Sequence, residues 1–97
     1  MATIVLNGTS FNLNSFGHNT VFGNETITSY AYFNMEYGNN YDTLYALAEN
    51  PITSLSIKNS SDEVIYSLSD INALITNIDA SLTGEFMTIN VNLQFIN

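Results

Sequence analysis

Hydrophobic and polar positions alternate almost without interruption from Phe86 to Ile96, FMTINVNLQFI. Met87, Ile89, Val91, Leu93 and Phe95 fall on one side; Thr88, Asn90, Asn92 and Gln94 fall on the other. Successive side chains of a strand point to opposite faces, so this pattern predicts a β-strand with one face in a core. Its polar side holds amides and a hydroxyl and no charge. Such a face suits contact with another protein better than it suits catalysis.

The rest of the chain predicts further hairpins. Thr3–Leu6 and Thr9–Leu13 flank Asn7-Gly8, a pair favoured in two-residue type I′ turns. Asn14 to Asn24, with two glycines, reads as a loop anchored by Phe16, Val21 and Phe22. Glu25–Met35 reads as a strand with Ile27, Ser29, Ala31 and Phe33 on one face and Thr26, Thr28, Tyr30 and Tyr32 on the other. Tyr41–Glu49 fits a helical turn, which Asp42 would cap, or a strand; the extended reading is preferred, and Pro51 ends either. Ile52–Lys58 and Glu63–Leu68 form a hairpin across Asn59-Ser60-Ser61-Asp62, with Leu55 and Ile57 facing Val64, Tyr66 and Leu68. Asn72–Leu82 joins the final strand through Thr83-Gly84-Glu85, with Leu74, Thr76, Ile78, Ala80 and Leu82 on one face. Strands joined by short turns imply an all-β fold, an antiparallel β-sandwich or small barrel built from hairpins.

A length of 97 residues predicts one β-domain, 1–97. Charge narrows the partners. Nine acidic residues against Lys58 alone give a formal net charge of −8. Displacing counterions from phosphates takes several cations, so neither direct nucleic-acid binding nor attraction to an anionic membrane surface is expected. Without cysteine there is neither a disulfide nor a thiolate metal site, and oligomerisation is the remaining common source of extra stability. Charged residues make up 10% of the chain, against about 25% in ordinary domains, and Asn, Ser and Thr take their place. MATIVLNGTSF has neither a basic region nor an apolar stretch of useful length, so no signal peptide is expected.

Candidate chemistry is sparse. His18 is the one histidine and sits in a Gly/Asn-rich stretch, where a solvated loop residue is expected. Asp62-Glu63 is the closest carboxylate pair, and its place in a turn predicts local hydrogen bonding. Neither a calcium-loop pattern nor a phosphate-binding glycine motif occurs. The expectation is therefore a protein without catalytic residues, cofactor or metal. Tyrosines are the richer signal: Tyr30, Tyr32, Tyr37, Tyr41 and Tyr45 crowd into sixteen residues. Aromatic side chains with a polar end are enriched at interfaces and also stack on sugars. Tyr30, Tyr32, Tyr37 and Tyr41, with Asn90, Asn92 and Gln94 of the last strand, are the expected interface residues. An uncharged final strand at an open sheet edge would invite aggregation. It must lie inside the sheet or be covered by a partner.

The segments MATIVLNGTSFNLNSF and SLSIKNSSDEVIYSLSDINA resemble small virion proteins of tailed bacteriophages. The resemblance implies a β-sandwich subunit, made in the host cytoplasm and located in the virion. Its partners would be coat or tail subunits, as a homo-oligomer or part of a large assembly. Capsid decoration or cement is the favoured role, a neck, tail or fibre component the alternative. From the tyrosines, a carbohydrate- or protein-binding module is a further alternative.

Overall fold

The computed structural model describes residues 1–96. Seven strands and one helix follow in chain order: β1 (Ala2–Leu6), β2 (Thr9–Phe22), β3 (Ile27–Glu36), α1 (Asn40–Leu47), β4 (Leu55–Lys58), β5 (Val64–Leu68), β6 (Ala73–Thr83) and β7 (Phe86–Phe95). They form one sheet in the order β5-β4-β1-β2-β3-β7-β6, with every neighbouring pair antiparallel. The all-β antiparallel architecture built from hairpins is therefore present, and β7 lies inside the sheet, between β3 and β6.

Turn chemistry sets the hairpins. Asn7 and Gly8 both adopt positive φ (49° and 86°), as a type I′ turn demands. The Asn7 side chain then does a second job. Its Oδ1 accepts the N–H groups of Thr53 (2.8 Å) and Ser54 (3.3 Å), and its Nδ2 donates to the Pro51 carbonyl (3.0 Å). One turn residue thus ties the β1–β2 hairpin to the segment that enters β4. Gly84, at φ 65°, closes the β6–β7 hairpin.

Core residues occupy one face. Cross-strand rows run Ile57–Ile4–Phe11, Leu13–Met35–Ile89, Phe33–Val91 and Ala31–Leu93, and all of these side chains are buried. The sheet must curl to cover this face. In a flat sheet β5 would sit about 14 Å from β2, three spacings of roughly 4.8 Å away. Instead the rings of Tyr66 on β5 and Phe16 on β2 are 5.4 Å apart. Ile52, on the approach to β4, also bridges Ala73 at the start of β6, with N–H to carbonyl distances of 2.7 and 3.0 Å.

The curl explains where structure departs from expectation. Asn14 to Phe22 is strand, not loop: β2 continues through a bulge at Asn14 and pairs with β3 as far as Phe22–Ile27. The bulge lets Leu13 and Phe16 both face the core and turns the strand between the two halves of the sheet. Phe16 packs on the core, but Val21 and Phe22 are exposed and anchor nothing. A bulge at Thr76 breaks the single-face alternation of β6, so Ile75 and Ile78 both pack on the core while Leu74 faces out. On β5, an extra residue at Ile65 pairs Val64 with Lys58 and leaves Val64 exposed.

Tyr41–Glu49 is helical over most of its length, not extended. Helical spacing sets Tyr41, Leu44 and Leu47 on one side, with Leu44 fully buried. An extended chain would have grouped Tyr41 with Thr43 and left Leu44 outside. Asn39 holds the N-cap position without a side-chain bond, and Asp42 lies in the first turn, where a carboxylate suits the helix dipole. Tighter bonds from Glu49 N–H to Ala46 and from Asn50 N–H to Leu47 end the helix before Pro51.

Removing core volume from β7 tests this packing: Leu93 is fully buried, and Leu93→Ala should cost about 3 kcal/mol in urea unfolding. Asn7→Gly keeps the turn geometry but deletes four side-chain bonds, the fourth from the Thr53 hydroxyl (3.2 Å), and should cost about 1–2 kcal/mol. An Asn7→Gly loss under about 0.3 kcal/mol would show that the tie to Thr53 and Ser54 is not structural.

Candidate interaction surfaces

With Ala31, Phe33, Met35, Ile89, Val91 and Leu93 buried, the residues between them must point outward. The outward rows of β3 and β7 meet in register: Tyr30 with Gln94, Tyr32 with Asn92, Asn34 with Asn90. The structure thus brings Tyr30, Tyr32, Asn90, Asn92 and Gln94 onto one face. Asn14 Nδ2 donates to Asn34 Oδ1 at 2.9 Å, and Asn34 Nδ2 donates to Asn90 Oδ1 at 2.9 Å. This amide chain crosses β2, β3 and β7, and it begins at the bulge residue Asn14. On β6 the rows continue with Asn77 opposite Asn92 and Asp79 opposite Asn90. From Tyr30 to Asn34 and from Asn90 to Gln94 no residue is charged.

Tyr32 is held in place by what lies beneath it. A Cβ on Gly17, its register partner, would come 2.2 Å from Tyr32 Cζ. Gly17 is therefore needed for close approach, because the tyrosine ring lies across its backbone. Tyr32 remains 52% exposed, so the ring that covers Gly17 also faces solvent beside the amide row.

Tyr37 and Tyr41 are elsewhere. Their rings stack at 5.9 Å and 28° beside α1, where Tyr41 packs on the core-side cluster. Next to them a cleft of about 430 Å³ opens between α1 and β6, with Tyr41, Tyr45, Ala48 and Glu49 on one wall and Ile75, Thr76, Asn77 and Ile78 on the other. The interface expectation omitted Glu49 and did not single out Tyr45. The signal that marks them is the four-residue spacing that sets Tyr41 and Tyr45 on one side of α1 and carries on to Glu49 in the turn that ends it. Reading the segment as extended hid it.

His18 is exposed, as expected, but it belongs to a strand and not to a loop. It lies on β2, its Nδ1 is hydrogen-bonded to the Tyr66 hydroxyl, and its ring lies 5.0 Å from that of Phe95. With Phe16 against Tyr66, these rings link β5, β2 and β7 across the curl. Beside them Leu13, Phe16, Ile57, Ile65 and Tyr66 line an apolar groove of about 470 Å³. The Asp62-Glu63 pair serves its turn: Asp62 lies 3.7 Å from Lys58, and the Glu63 N–H donates to Asn59 Oδ1 at 3.0 Å. Among the described residues no group of His, Asp and Glu converges as metal ligands would.

No protein family, curated protein or solved structure is significantly similar to this chain.

The Tyr32–Gly17 contact is testable by a double-mutant cycle. Gly17→Ala should displace the ring and cost about 1 kcal/mol. In a Tyr32→Ala background the same change should be neutral or stabilising, since alanine suits a strand better than glycine. Equal costs in both backgrounds, measured by urea unfolding, would mean that the ring does not depend on Gly17.

Proposed function

We propose that this chain is a non-enzymatic structural subunit of a tailed-phage particle, a capsid decoration or cement protein that binds its neighbours through the outer face of β3 and β7. The observation that carries the reading is that face itself: Tyr30, Tyr32, Asn90, Asn92 and Gln94 sit in register on two adjacent inner strands without a charge among them. Burying a charge without a partner is costly, whereas amides and phenols can exchange water for a neighbour's hydrogen bonds. The amide chain from Asn14 to Asn90 holds part of this face in place before contact, which lowers the ordering cost of binding.

Shape supports the same reading. The molecule measures 43 × 29 × 23 Å. The β2–β3 hairpin runs past the last β3–β7 pair and exposes Phe22 (76%) and Ile27; the β6–β7 hairpin exposes Leu82 and Phe86 (75%) at the opposite end. Apolar tips at both ends are expected of a subunit with several neighbours. The charge of −8 keeps the free chain soluble until it assembles. A neck, tail or fibre position would use the same contacts with other neighbours.

A carbohydrate-binding module is the second reading, favoured by the exposed Tyr32 ring beside Asn92. Asn92→Lys separates the two readings. It should cut incorporation into particles at least about tenfold, as expected when an unpaired charge is buried at a contact, and leave the urea midpoint unchanged. Normal incorporation would sink the structural reading, and saturable glycan binding that Tyr32→Ala abolishes would replace it.

A further inference from the structure

We propose that the cleft between α1 and β6 receives an extended segment of another protein. The segment adds antiparallel to the free edge of β6 and sets one lysine or arginine side chain between Tyr41 and Tyr45 against Glu49. This extends the assembly reading to a second surface and names the chemistry of the neighbour that fits it.

The edge is the first observation. Beyond Ala73, which Ile52 covers, the described backbone of β6 bonds only to β7. Past the bulge at Thr76, from Asn77 to Thr83, alternate N–H and C=O groups therefore point away from the sheet, the template on which a further strand adds. Neither lysine nor proline guards this edge.

The cleft is the second. It lies beside the first part of that edge, at Ile75 to Ile78, and its opposite wall presents two tyrosine rings and the Glu49 carboxylate. Tyr45 (63% exposed) and Glu49 are not committed to the core. Aromatic faces and a carboxylate together attract a cationic head, while the apolar floor takes its methylene stem. Ile78, Ala80 and Leu82 continue along the same face of β6. The matching segment therefore reads apolar, polar, apolar, polar, basic, and its basic residue comes last in an antiparallel approach.

Charge selects a foreign strand over a second copy. Asp79 and Glu85 lie along this edge and hairpin, and Asp42 and Glu49 lie on the helix side. The chain's one Lys/Arg side chain, Lys58, faces Asp62. A second copy brings no free lysine or arginine and would set carboxylate against carboxylate.

The probe is the acetylated and amidated peptide Thr-Val-Thr-Val-Thr-Lys-Thr, added to the isolated chain and followed by NMR and amide exchange. Binding should be saturable, slow exchange at alternate β6 amides between Asn77 and Thr83, and shift the Tyr41 and Tyr45 ring signals. Replacing the peptide's lysine by glutamate should weaken binding at least about tenfold. Glu49→Lys, an exposed change that spares the fold, should reverse that preference, and Tyr45→Ala should lower affinity for the lysine peptide several-fold. Protection that fails to map to β6, a preference unmoved by Glu49→Lys, or self-association through β6 without peptide would each overturn the proposal. Because the isolated chain is used, failure here leaves the particle reading to its own test.

Discussion

A sheet has two faces, and this chain has very little besides sheet with which to cover one of them. Its single helix runs from Asn40 to Leu47 and buries only Leu44 completely. One short helix cannot shield the inner face of seven strands. The sheet therefore has to cover itself, and its curl is the constraint on which the other features depend. Curling brings Tyr66 onto Phe16 and His18, and it brings the approach to β4 against the start of β6 at Ile52 and Ala73. The bulges at Asn14 and Thr76 let long strands bend while keeping apolar side chains inside.

Self-covering also decides what is left outside. The concave side consumes nearly all the large aliphatic residues of the central strands, and their period-two partners form a convex face of amides, hydroxyls and tyrosines. Strands longer than the core they cover overrun it at both ends, which exposes Phe22 and Ile27 at one tip and Leu82 and Phe86 at the other. Because the sheet order ends in β6, a long strand lies at the margin with a cleft alongside it. A convex face, two tips and one edge are three different routes to contact, and each follows from a small chain bending to enclose its own core.

Much of this was legible beforehand. Asn7-Gly8 and Gly84 mark turns whose positive φ few other residues tolerate, so those hairpins were readable from the residues alone. The alternation in β3 and β7 set Tyr30 and Tyr32 on one face of their strand and Asn90, Asn92 and Gln94 on one face of theirs, because strand periodicity holds wherever no bulge interrupts it; only the β3–β7 pairing brings the two rows together. Tyr37 and Tyr41 separated from them because a helix begins between β3 and β4, and the local pattern there fits helix and strand about equally. Asn14–Phe22 has a loop's composition, yet its backbone pairs with β3; cross-strand bonds outweighed local preference.

By itself, then, the sequence determined the class of fold, the principal hairpins, the acidic charge and the uncharged character of the outer row of β7. Those properties rest on residues close together in the chain: turn torsions, period-two patterning and the shortage of lysine and arginine. Tertiary structure alone decided the strand order, the bulges, the helix and the closeness of Gly17 to Tyr32, of His18 to Tyr66 and of Glu49 to β6. These depend on pairings between residues far apart, and on how the sheet must bend to close over its core. No local window of sequence carries that information, because the bend is set by the balance of buried area over all seven strands at once.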